Sequence, residues 1–359
     1  MTWQTAATEL LTELVRTPSP SGEEAAVAEA LATWADDLGL AVSVDDAAVR
    51  LETAAENDGP TLLFASHLDT VPPGGGWSCD PYEGRVENDR LTGRGAVDAK
   101  ASVAAMSAAA AAVAARGGPA RGRLVVLATY GEETRHTSMP AALERLGGRP
   151  NAAVVGEPTS LEPATAQRGL LLLRLVWSGD QLHAGWAADR QAKTTNAIFC
   201  AAADLARLEN WNPGGRHPAL GWVTITPTML EAGVARNVTP PRCEAVLDVR
   251  TTPACSHAEV VALVSGRVQG AVEVISDRLE PAQTPPDSAL LAALYRVRPS
   301  AAPFASPTCS DWVFLRHLDA IKLGPGDSLQ SHRPDESIAL GQVRDAVGLY
   351  TDLAREYLS

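Results

Sequence analysis

A handful of short segments carry the residue types that hold divalent cations or move protons, and most of them follow an apolar run. His67-Leu68-Asp69 comes directly after Thr61 to Ser66 (TLLFAS). Residues two apart on an extended chain share a face, so Asp69 could hold the His67 ring in one tautomer from behind. Asp98 closes Gly93-Arg94-Gly95-Ala96-Val97-Asp98 at the mouth of an alanine-rich run. It reads either as a metal ligand or as the N-cap of that helix. Glu132 and Glu133 follow Tyr130. Adjacent carboxylates repel, and they make sense together when one binds a cation and the other stays free as a base. Glu157, in Gly156-Glu157-Pro158-Thr159, and His332, in Ser331-His332-Arg333-Pro334-Asp335-Glu336, complete the set. Taken singly, His67-Leu68-Asp69 also reads as a surface turn, the Glu132–Glu133 pair as solvent-facing and Glu157 as a turn glutamate. Together they supply the nitrogen and oxygen donors that suit zinc or cobalt, and hence hydrolysis.

Such side chains converge only if the elements before them run side by side. Thr61 to Ser66, Leu124 to Tyr130 and Asn151 to Val155 are continuous apolar runs, with an alanine helix over 99–116 between the first two. A helix is expected over 22–38, opened by a Ser21–Glu24 capping box and stopped by Gly39. Apolar strands alternating with helices predict an α/β domain with a mostly parallel sheet, covered on both faces. After Pro163 the pattern changes. Strands at Leu170 to Val176, Gly221 to Pro227, Cys243 to Arg250 and Val272 to Ser276 interleave with helices near 194–209 and 256–267, the second opened by Ser256 and Glu259. This β-α-β-β-α-β order predicts a ferredoxin-like α+β domain. Prolines 281, 285 and 286 mark its exit, and a helix (287–296), a strand (320–323) and a long helix (338–357) return to the first domain. The expected organisation is a catalytic domain in two parts, 1–165 and 279–359, with 166–278 inserted between them.

Bulk properties agree. A chain of 359 residues exceeds one ordinary core. Its formal net charge of −13 argues against nucleic-acid or anionic-membrane partners. The start of the chain lacks a basic, then apolar, leader, and no apolar run reaches bilayer length. The five cysteines are scattered, without CxxC spacing, which fits neither a disulfide framework nor a thiolate metal site. A cytoplasmic setting is expected.

The ordered motifs HLDT, GRGAVDAK, GEE, GEPT and SHRPDE resemble the M20 family of metallo-aminoacylases and carboxypeptidases across nearly the whole chain. The resemblance implies two divalent ions, zinc or cobalt, bridged by Asp98. His67 and Glu157 would hold one ion, Glu133 and His332 the other. Asp69 would orient His67, and Glu132 would be the general base. It also implies a zinc-hydrolase fold with an inserted lid that forms a homodimer. Gly179-Asp180-Gln181-Leu182-His183-Ala184-Gly185 is similar to the family segment whose histidine polarises the scissile carbonyl, often across the dimer. Ala235-Arg236-Asn237-Val238-Thr239-Pro240 makes Arg236 and Asn237 candidate substrate contacts. Arg250, in Asp248-Val249-Arg250, could equally be a structural ion-pair residue. Ser310 and the backbone at Gly324 and Gly326 are candidates for the product carboxylate.

Within the family, GRGAVDAK, Cys309-Ser310-Asp311 and Gly324-Pro325-Gly326-Asp327-Ser328 resemble the LysK group, which releases lysine or ornithine from an amino-group carrier protein or an N-acyl form. Trp77 to Gly84 (WSCDPYEG) is shared with acetylornithine deacetylases and succinyl-diaminopimelate desuccinylases. A broader carboxypeptidase or dipeptidase is the other reading. A carrier protein as partner would need a basic rim, for which Arg168, Arg190, Lys193 and Arg216 are candidates.

Overall fold

The expected apolar strands form and lie together. In a computed structural model that describes residues 2–53, 59–187 and 195–359, the chain divides into two compact units. The first comprises Met1–Thr165, Gln283–Phe304 and Ser310–Ser359; the second comprises Ala166–Ala282 and Ala305–Cys309.

In the first unit Arg123–Thr129, Thr61–His67, Ala152–Val155 and Asp319–Lys322 are neighbours in that order, each pair parallel. The register sets His67 beside Thr129, Ala65 beside Val155 and Lys322 beside Val155, so all four carboxyl ends reach the same sheet edge. That edge is where open α/β sheets gather ligands. A hairpin of Ala41–Val44 and Ala48–Glu52 adds two antiparallel strands beside Arg123–Thr129. Its strands are only 4 and 5 residues long, too short to show a period in the sequence.

The alanine run is the central helix, Lys100–Ala114, and every residue from Lys100 to Val113 is buried. It packs against the sheet and against the helices Trp3–Arg16 and Leu340–Tyr357. Most of its side chains are methyl groups, which let the surrounding layers approach closely. Burial of Lys100 pushes its ammonium down to about 7. Its Nζ donates to the carbonyls of Leu14 and Thr17, at 2.7 and 2.9 Å, and so fastens the end of the first helix.

The expected helix over 22–38 is Ala25–Asp36, and the Ser21–Glu24 capping box does not form. Glu24 is the N-cap but makes no side-chain cap bond; both side chains are engaged at the sheet edge instead. Gly39 lies beyond the helix end with φ +77°.

The second unit is the expected ferredoxin-like fold. Thr224–Ala232, Arg242–Thr251, Gly169–Ser178 and Ala271–Leu279 form an antiparallel sheet in that order. Leu171, Leu173 and Leu175 alternate inward with Cys243, Ala245, Leu247 and Val249, under the helices Ala197–Leu208 and His257–Arg267. The Ser256–Glu259 capping box is present. The expected strand end at Pro227 is not an end. A register shift between Pro227 and Met229 absorbs the missing donor and the strand runs on to Ala232, as an edge position permits. All five cysteines are free. Among the described residues, no helix is long and apolar enough to cross a membrane.

The buried alanine helix makes a direct prediction. Ala108→Leu should overpack the layer and lower stability by about 1–3 kcal/mol, read as a reduced midpoint in urea at unchanged slope.

Candidate active site

His67 ends its strand fully buried, and its Nδ1 lies 3.0 Å from the carbonyl of Asp69 and 3.3 Å from the Asp69 carboxylate. Asp69 therefore does hold the ring, through its backbone as well as its side chain. The carboxylate has further partners: Ser21 Oγ donates to it at 2.6 Å, and the N–H groups of Glu132 and Glu133 donate at 3.0 and 3.1 Å. Burial pushes its carboxyl up, yet His67, with the Ser21 and Glu133 donors, holds it at about 2. Glu24 supports the same turn by accepting from Gly131 N at 3.1 Å. The two residues read as a helix cap thus brace the loop that follows the neighbouring strand.

Asp98 sits just before the central helix, whose N-cap is Ala99 and has no side-chain cap bond, so the carboxylate is not used as a cap. Its Oδ1 is 3.3 Å from His67 Nε2, and its Oδ2 is 3.4 Å from His332 Nε2. Glu157 Oε1 approaches His67 Nε2 to 3.9 Å, and Glu133 Oε1 approaches His332 Nε2 to 3.0 Å. Two sets of donor atoms result, His67–Asp98–Glu157 and Asp98–Glu133–His332, with the atoms of each within 4.8 Å of one another. His67 Nε2 is buried and has no hydrogen-bond partner. An orphaned imidazole nitrogen facing two carboxylates is what a cation site requires, so these residues fit a pair of divalent ions.

The electrostatics match that crowding. Burial pushes the Glu157 carboxyl up to about 7, with the Asp98 charge adding to it. Burial opposes a charge on His67, yet Asp69 and Asp98 hold its imidazole well above the ordinary value. Glu133 raises His332 in the same way.

Glu132 is buried and belongs to neither of these sets. It forms a third group with His136 and Asp311, which the sequence did not reveal. His136 Nδ1 is 3.0 Å from Asp311 and 3.8 Å from Glu132, and Asp311 also accepts from Thr129 Oγ1 at 3.3 Å. Asp311 was visible in Cys309-Ser310-Asp311, but its link to Glu132 runs between residues far apart in the chain.

The expected carboxylate contacts differ. Gly324 N donates to Thr159 Oγ1 at 3.0 Å, and Gly326 N donates to Gln342 Oε1 at 2.8 Å, so both N–H groups serve the protein itself. A Cβ at Gly324 would lie 2.4 Å from the carbonyl oxygen of Glu157, which explains the glycine by packing. Ser310 is fully buried.

Within the second unit, His183 and Asn237 are brought together. Ala184 N donates to the Asn237 carbonyl at 2.8 Å, and His183 bridges Val238. His183, Arg236 and Asn237 are exposed. Arg250 is a structural ion-pair residue, bidentate to Asp248 at 2.8 and 3.0 Å. Arg168, half-buried, donates to the carbonyls of Trp222 and Arg250, at 2.9 and 3.2 Å. Arg216 is exposed, and Arg190 and Lys193 lie outside the described residues.

A parallel sheet whose strand ends gather two imidazoles and a ring of carboxylates defines a metal-dependent hydrolase. The chain belongs to Peptidase family M20/M25/M40, whose profile matches residues 63–356. It is 28% identical over 355 residues to an Aeropyrum pernix protein provisionally named a LysW-lysine/LysW-ornithine hydrolase, covering 96% of this chain and 94% of the other. It is 30% identical over 378 residues to the succinyl-diaminopimelate desuccinylase of Novosphingobium aromaticivorans, covering 98% of each. In fold it is similar to a Bacillus subtilis dinuclear metal-binding peptidase of family M20, with TM-score 0.75, 16% identity and 98% of each chain covered.

Loading the site with cations should release protons. With Glu157 at about 7 and His67 above its ordinary value, both are at least partly protonated near pH 7 when free, and both must lose protons to coordinate. Zinc affinity should therefore rise with pH across this range. Calorimetry in buffers of different ionisation enthalpy should show net proton release, and a buffer-independent heat would contradict the assignment.

Proposed function

We propose that the chain hydrolyses an amide bond with two divalent ions, zinc or cobalt, and releases lysine or ornithine from an N-acyl or carrier-protein-linked precursor. The observation supporting the hydrolytic part is Asp98, which turns one carboxylate oxygen to each imidazole, with Glu132 left outside both donor sets. His67, Asp98 and Glu157 would hold one ion, and Asp98, Glu133 and His332 the other. The amino-acid part rests on likeness to the Aeropyrum protein. The likeness to a desuccinylase favours a second reading, removal of an acyl group from N-succinyl-diaminopimelate or N-acetylornithine.

When bound, the two ions would polarise the acyl carbonyl and bring the acidity of water toward neutral pH. Glu132 takes a proton from the attacking water as the new C–O bond forms, then returns it to the amine nitrogen as the C–N bond breaks. Burial, reinforced by Glu157, Asp311 and Glu133, raises its carboxyl well above the ordinary range despite the opposing pull of His67. A carboxyl raised in this way is a stronger base than an ordinary glutamate. His183 is assigned the oxyanion, and Arg236 and Asn237 the amino-acid end of the substrate.

The second unit is read as an inserted lid that also forms the dimer. Its edge strand is exposed along almost its whole length, with Met229 and Leu230 at 55% and 59%, and the neighbouring helix shows Phe199 at 75%. Exposed apolar side chains beside an unpaired strand edge are normally covered by another chain.

The assay that tests the reading offers N-acetyl-lysine, N-acetylornithine, N-succinyl-diaminopimelate, carrier-linked lysine and simple dipeptides to the zinc- and cobalt-loaded enzyme. Preference for dipeptides would overturn deacylation. Glu132→Ala should keep both ions and lose roughly 10²–10⁴-fold or more in turnover. Mixing inactive His183→Ala with inactive Glu132→Ala should restore activity on subunit exchange if His183 acts across the dimer. A mixture that stays inactive after confirmed exchange would confine His183 to its own chain.

A further inference from the structure

The bridging aspartate stands at the end of an irregular loop, and one buried residue outside both donor sets determines where that loop lies. No helix or strand ladder takes up the N–H groups of Gly93 to Asp98. Arg94 N goes to the Pro81 carbonyl and Ala96 N to the Gly93 carbonyl. The other four converge on Glu336. Its carbonyl accepts from Gly93 N at 2.9 Å, and its Oε2 accepts from Gly95 N at 3.1 Å. Its Oε1 accepts from Val97 N at 2.7 Å and from Asp98 N itself at 3.0 Å. Arg94 Nη1 adds a charged bond to Oε2 at 2.6 Å. Glu336 is fully buried, so no water substitutes for these donors.

The loop can wrap the carboxylate this closely because Gly95 has φ +83°, and a Cβ there would lie 2.8 Å from Thr70 Cγ2. Arg94 is itself fixed, donating to the Pro73 carbonyl at 3.2 Å and lying 5.1 Å over the Trp77 ring. Glu336 also lies four residues beyond His332. The next residues, Ser337–Ala339, pair antiparallel with Arg90–Thr92. Between them, Asp335 makes a separate tie by accepting from Ser78 N at 2.8 Å.

We propose that Glu336 is a positioning residue for the metal centre: its carboxylate clamps the backbone of residues 95–98 and thereby holds Asp98 between the two donor sets. The proposal rests on the two-ion reading above. Because Asp98 is the only residue common to both sets, loosening it weakens both ions together. A tether acting only through the His332 segment would weaken just the Asp98–Glu133–His332 ion. Glu336→Gln is nearly isosteric, but its amide NH₂ would face the N–H donors of Arg94 and Gly95, so half of the clamp becomes repulsive.

The test is competitive zinc titration against a chromophoric chelator, with the visible spectrum of the cobalt-loaded protein as a second readout. Wild type, Glu336→Gln, Glu336→Asp and the control Asp335→Asn are compared, each with a melting curve without metal. Glu336→Gln should lose roughly 10–100-fold in affinity for both ions and show an altered cobalt spectrum. Asp335→Asn should keep the wild-type affinities. Glu336→Asp keeps the charge but is one methylene short, should fall between the two, and carries the test if Glu336→Gln does not fold. Wild-type affinity in the Glu336 variants, loss of one ion only, or an equal loss in Asp335→Asn would each overturn the proposal. A wild-type protein that binds fewer than two ions would instead overturn the two-ion reading.

Discussion

The molecule is built around a concentration of negative charge that water cannot screen well. Asp98, Glu132, Glu133 and Glu157 crowd around two imidazoles at the end of the central sheet, and Asp69 lies directly behind His67. Charges this close interact far more strongly in a protein interior than in water, and burying them is costly unless opposite charge or hydrogen bonds compensate. The response is a division of states. Asp69 is held at about 2 and Glu157 is pushed to about 7, while Asp98 is lowered by the two imidazoles against its own burial. Such a spread suits a site that takes up cations.

Bringing these groups to one point is the work of the parallel sheet. Neighbouring strands end at His67, Thr129, Val155 and Lys322, and the loops that leave them begin at one edge. Backbone hydrogen bonds then fix the loops to one another. Asp69 accepts from Glu132 N and Glu133 N, so the residue beside His67 also sets the turn bearing those two glutamates. Supporting bonds of this kind matter because small displacements of reacting groups are expensive in rate.

The second unit follows a different logic. Its inward face is an ordinary apolar alternation under two capped helices, while its edge strand and part of one helix leave large apolar side chains in solvent. The substrate-contact candidates His183, Arg236 and Asn237 lie together on its exposed surface, joined by backbone bonds rather than by side-chain chemistry. A catalytic contribution from this unit would therefore come from exposed surface groups, in contrast to the donors of the first, which are braced by bonds between loops.

Local information in the chain sufficed for the parallel apolar strands, the alanine helix and the ferredoxin-like order, because periodicity, apolar runs and turn residues act over a few positions. What lay beyond it were interactions between distant segments. Ser21 and Glu24 have the spacing of a helix cap, yet they bind Asp69 and Gly131, since a pattern of two residues cannot show which competing donor is nearer in space. Gly324 and Gly326 look like anion-binding backbone, but their N–H groups are taken by Thr159 and Gln342. The grouping of Glu132 with His136 and Asp311, and the clamp of Glu336 on Asp98, join positions up to 238 residues apart. Only the closed tertiary structure decided these, because a buried polar group takes whichever partner the packing brings within reach.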